Sequence, residues 1–138
     1  MRSVGAVLFA FVVFLFSWFL NAFLVSALAF AGVSAGGGAG LFLILNMLFV
    51  WIVCPGIGSF IAVSATIKKF SDIEVQTIYV GFVTVCAVLI FFLFLFSISL
   101  YFMELNGFWS IVLFVMQSCA VIYGSKFGKI YAVSKSSN

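Results

Sequence analysis

The sequence predicts an all-α integral membrane protein: four transmembrane helices in an up-down bundle with short loops, the second helix interrupted at residues 55–58. Three observations predict it. No charged side chain stands between Arg2 and Lys68, a distance several times the roughly 20 apolar residues that cross a bilayer. Only 7% of the 138 residues are charged, too few to clothe a soluble domain, where about 25% is usual. The six basic residues all fall on one side of a four-crossing arrangement. No stretch is long enough to form a separate soluble unit, so residues 1–138 read as a single transmembrane domain.

The first apolar segment covers residues 4–33. Arg2, the apolar run and Ala29-Phe30-Ala31 superficially resemble a secretory signal. A signal's apolar core is about 7–15 residues, and this run is about twice that, so it reads as a retained helix. Glycines between Gly32 and Gly40 mark a tight uncharged turn into the second segment, residues 41–67. The stretch 68–74, which holds Lys68, Lys69, Asp72 and Glu74, is the one substantial polar loop. The third segment covers 77–103. Glu104-Leu105-Asn106-Gly107 then forms a short turn before the fourth, 108–131, whose most apolar part ends near Tyr123 ahead of a polar, lysine-bearing tail.

Charge supplies the direction. Four crossings put Arg2, Lys68, Lys69, Lys126, Lys129 and Lys135 on one face and leave Glu104 on the other. The positive-inside rule places both termini and the 68–74 loop on the cytoplasmic or equivalent side, whereas three or five crossings would split the lysines. Tyr79, Tyr123 and Tyr131 fall near that interface, and Tyr101 and Trp109 near the opposite one, as an aromatic belt requires. Trp18 and Trp51 fall instead at mid-membrane, where each indole N–H needs a partner. Packing between helices against a carbonyl or hydroxyl is the simpler reading; a lipid or ligand pocket is the sharper one.

Phe9, Phe16, Phe23 and Phe30 recur every seven residues, with Val12, Leu20 and Ala27 between them. Heptad spacing suits a packing seam against another helix of this chain or of a different subunit. The run 91–96, by contrast, spreads its phenylalanines around the whole helix, which suits lipid on all sides.

Pro55, Gly56 and Gly58 interrupt the second segment. Proline removes one intrahelical hydrogen bond, and the freed carbonyl needs a donor from elsewhere. Depth counting puts Thr84 at a similar level as a candidate donor. A kink is the plain reading, and a broken helix that binds an ion or substrate the alternative. The other intramembrane polar groups are Asn21, Asn46 and Gln117. Asn21 and Gln117 come out level near the bilayer centre, which predicts a tie between first and last helices, directly or through Ser17 or Ser118.

Histidine is absent, which removes the usual general base and the commonest zinc ligand. Asp72, Glu74 and Glu104 lie at or beyond the membrane edge, so no ionisable group stands at depth for proton coupling. Cys54, Cys86 and Cys119 fall in three different segments without a paired spacing and read as packing residues. The expectation is therefore no enzyme, no catalytic residue, no metal, no cofactor and no nucleic-acid partner. The first functional reading is a noncatalytic small multi-span subunit of a larger membrane complex, with other integral subunits and bilayer lipids as partners. A small homo-oligomeric channel or facilitator with residues 55–58 in its pore is one alternative. A protein binding lipid, quinone or pigment at Trp18 and Trp51 is the other.

Overall fold

A computed structural model describes residues 2–34, 39–101 and 107–136, and apart from the 70–74 loop they are all helical. The elements are α1 (Arg2–Ser34), α2 (Ala39–Leu48), a π-helical turn (Phe49–Val53), α3 (Cys54–Lys69), α4 (Val75–Tyr101) and α5 (Gly107–Ser136). α2, the π turn and α3 run on without a gap, so the chain forms four long rods. All four are long and apolar enough to cross a membrane. The predicted turns at 35–38 and 104–106, and the side chains of Tyr101 and Trp109, lie outside the described residues.

Between 12% and 22% of each apolar window is buried within the protein. Phe16, Phe19, Phe23 and Phe30 of α1 are each about 70% exposed or more. So much outward apolar surface suits a hydrocarbon surround.

Around the bundle the order is α1, α3, α5, α4. α3 lies against α1 and α5, and α4 closes the ring against both, while α1 and α5 share no close approach among the described residues. The first and last spans are thus diagonal. Two kinds of residue bring the others together. Ala6, Ala10, Phe14 and Ser17 form the buried stripe of α1, and Phe14 meets Phe82 of α4 edge-on at 5.6 Å. On α5, Ala120, Gly124, Gly128 and Ala132 recur every fourth residue and therefore share one face. A Cβ on Gly128 would stand 2.6 Å from the Phe60 carbonyl, and one on Gly124 would overlap the Gly56 carbonyl and the Ser59 hydroxyl. Helix backbones approach this closely only where both sides are small.

Among the described residues that core lies in the half of the bundle carrying the basic residues. On α1 no described residue beyond Ser17 is buried, and none is buried on α2 or the π turn. Among the described residues α2 approaches α1 and the π turn alone. Among the described residues of the far half α1 pairs with α2 and α4 with α5, and each pair has an aromatic ring between its helices: Phe42 on Gly32 in one, Phe94 on Phe114 at 4.6 Å in the other.

The basic end is knitted by side chains. Arg2 pairs with Asp72 at 3.3 Å, Lys69 lies 4.1 Å from the Phe9 ring centre, and Lys68 lies 5.0 Å from that of Tyr131. These contacts bring the start of α1, the end of α3, the start of α4 and the end of α5 to one end.

The heptad phenylalanines do not form a seam within the chain. Phe16, Phe23 and Phe30 point outward, as do Val12, Leu20 and Ala27, and only Phe9 is drawn in, against Phe70 at 5.7 Å. The seam runs instead along the smaller Ala6–Ala10 face, because α3 and α4 can come near there. α5 also continues as helix to Ser136, five residues past the expected end at 131. Its glycines, which read as tail residues, are contact points against α3 and not breaks.

Candidate functional site at the helix break

The irregularity in the second span falls one turn before the proline. Pro55 opens α3 in its first turn, a position that proline tolerates, and Gly56 and Gly58 lie in regular α-helix. The strain passes backward because the proline ring crowds the carbonyls of the preceding turn, and the chain answers with the π turn Phe49–Val53. There the Cys54 N–H donates to the Phe49 carbonyl, five residues back. The next bond in that register would join residue 55 to the Val50 carbonyl, and proline has no N–H to give.

That carbonyl is taken by the indole of Trp18, which donates from Nε1 at 3.0 Å. Trp18 is half-buried, tilted against Phe14 at 5.6 Å, and meets Trp51 edge-on at 6.3 Å. Trp51 itself is 41% exposed on the outer side of the π turn. The structure thus brings Trp18 to two features that neighbour each other far along the chain, Trp51 and the proline break. Among the described residues away from the basic end, this is the one side-chain hydrogen bond that passes between helices. Ser59, Ser64, Thr66 and Ser118 all return their hydroxyls to carbonyls of their own helices, as does Ser125 to Val121.

The two glycines face opposite neighbours. Gly56 lies against Ala120 of α5, where an added Cβ would be 3.4 Å from the carbonyl oxygen. Gly58 lies against the Phe14 and Trp18 backbones of α1 at the same distance. The break is therefore clamped from both sides, and its backbone has little room to move.

The polar residues are not brought together. Thr84 is not the donor to the freed carbonyl: its hydroxyl donates to Val80 of its own helix at 2.8 Å. Asn21 likewise donates to the Ser17 carbonyl at 2.8 Å. Trp18 and Ala120 flank the same turn of α3, and Asn21 and Gln117 each lie three residues farther from the basic end, so their depths match. They are nevertheless on diagonal helices, and no tie forms between them. Gln117 is 6% exposed, with its Nε2 buried and unpartnered, and Asn46 Oδ1 is buried and unpartnered on the second span. Each costs about 1–3 kcal/mol relative to a satisfied group.

Among the described residues no group of three or more His, Cys, Asp or Glu side chains is placed to hold a metal ion. No protein-family model matches the chain, nor does any curated protein or solved structure.

Two features went unread in the sequence. The i, i+4 row Ala120, Gly124, Gly128, Ala132 was legible as a small-residue motif. The Trp18–Val50 bond had only half a signal, an indole at depth and a proline a few residues beyond its acceptor, and chain distance hides that pair.

Proposed function

We propose that this chain is a noncatalytic small multi-span subunit of a larger membrane complex, acting through helix packing and lipid contacts, with both termini and the 70–74 loop on the cytoplasmic or equivalent face. The observation that carries the reading is the unfinished far half. Beyond the π turn the described residues of α2 approach α1 alone, none of them is buried, and α1 displays Phe19, Phe23, Leu24, Leu28 and Phe30 outward. A helix from another subunit would cover such a face.

A photoreactive phenylalanine analogue at position 23, incorporated in the native membrane, tests this. Irradiation should link the chain to a different integral protein, which also copurifies with it in mild detergent. The same analogue at position 127, exposed but in the basic half, should do so far less. Adducts with a second copy alone would replace the reading with the homo-oligomeric channel.

The lipid, quinone or pigment reading has its own observation: Trp18 and Trp51 meet at the border of the packed half. Adducts with lipid alone from position 23, together with a nonprotein molecule retained through purification, would favour it.

A further inference from the structure

Two of the six basic residues share a groove that holds no carboxylate. Lys126 and Lys129 are one helical turn apart on α5, facing Gln76 and Tyr79 of α4 across a groove of about 510 Å³. Lys129 donates to Gln76 Oε1 at 2.6 Å and lies 5.3 Å from the Tyr79 ring centre, which fixes the ammonium at the groove wall. An ammonium has three donors, so this contact leaves capacity for an anion.

The nearby carboxylates are engaged elsewhere. Asp72 pairs with Arg2, and Glu74 accepts from the Thr77 hydroxyl at 3.4 Å; neither lines the groove. Toward the far end the wall turns apolar, with Ile122 and Cys119 one to two turns from the lysines and Tyr123 at the boundary. Phenols at the edge and ammonium groups beyond them match the vertical order of a phospholipid, acyl chain first and charged phosphate next.

A second groove of about 420 Å³, between Lys68 and Lys135, is built differently. Both of its lysines lie near one ring, Tyr131, at 5.0 Å and 5.9 Å.

The geometry points to an anionic-phospholipid site between α4 and α5 at the basic end, with the phosphodiester held by Lys126 and Lys129 and the first part of an acyl chain along Ile122 and Cys119. This site is independent of the subunit reading, since it lies in the well-packed half.

Cys119 provides the test in the unaltered chain. It is the exposed cysteine, while Cys54 and Cys86 are buried, so an uncharged maleimide reports on this groove. In nanodiscs of phosphatidylcholine its labelling sets the reference rate, and phosphatidylglycerol added to the disc should slow it several-fold. Lys126→Gln with Lys129→Gln should weaken that protection on the order of twentyfold in the lipid fraction required, at about fivefold per lysine. Lys126→Arg with Lys129→Arg should keep it. Lys68→Gln with Lys135→Gln should change it less than twofold. Equal labelling in both lipid mixtures overturns the site. So does protection by inorganic phosphate alone, or an equal loss when Lys68 and Lys135 are replaced, since general surface charge would then suffice.

Discussion

In the basic half, α5 lays Gly124 and Gly128 directly on the Gly56 and Phe60 carbonyls and the Ser59 hydroxyl of α3, whereas beyond the π turn the described residues of α2 have α1 alone beside them. Both halves are rich in apolar side chains, and the far half carries the larger ones. Hydrophobicity therefore does not decide where these helices meet. In hydrocarbon, an apolar side chain gains nothing by leaving lipid for another apolar surface, so close contact must come from shape and from hydrogen bonds that lipid cannot make. Alanine and glycine on α1 and α5 allow the shape. Among the described residues the one interhelical side-chain hydrogen bond at depth, from Trp18 to Val50, lies at the border where the close packing stops.

The comparison is most exposed to a pair of phenylalanine substitutions. Phe14→Ala, in the basic half, should cost about 3–5 kcal/mol, because Phe14 is 1% exposed and touches Phe82 and Trp18. Phe23→Ala, 71% exposed, should stay within about 0.5 kcal/mol. Unfolding in mixed micelles, followed by circular dichroism, measures both. Similar losses would mean that the far half has a core of its own.

Glycine replacements give a smaller contrast. Gly124→Ala should cost about 2 kcal/mol even after the gain of about 1 kcal/mol in helix propensity, because its methyl group meets backbone. Gly32→Ala meets only the ring end of Phe42, which can swing aside, so its net effect should be close to zero. The same unfolding experiment ranks them, and the reverse order would contradict the packing described for α3 and α5.

The border itself is probed by a double-mutant cycle. Trp18→Phe should cost about 1–2 kcal/mol by stranding the Val50 carbonyl. Pro55→Ala restores an N–H that can reach this carbonyl, so the same Trp18 substitution should cost about 1 kcal/mol less in that background. Additive effects would show that the indole and the proline are energetically unrelated. Smallest of all, Thr84→Val should change stability by less than about 0.5 kcal/mol, since that hydroxyl serves only its own helix on an exposed face. A larger loss would give Thr84 a contact that this structure lacks.

Reading residues in order was enough to find the four apolar rods, the gathering of Arg2 and the five lysines at one end, and the disturbance around Pro55. Each depends on something local: run length, the sign of a charge, a missing N–H. The small-residue row on α5 was equally local, but the lysines interleaved with it made residues 124–132 look like a polar tail. Depth was also readable, because rise per residue is constant, and Asn21 and Gln117 do lie level. Lateral position was not. A phenylalanine every seventh residue has the same pattern whether it faces a helix or lipid, and only the bundle shows Phe16, Phe23 and Phe30 turned outward. The order α1, α3, α5, α4 separates Asn21 from Gln117 and brings Trp18 to Val50, because helix neighbours are selected by how closely two backbones can approach, a property of surface pairs that no single segment carries.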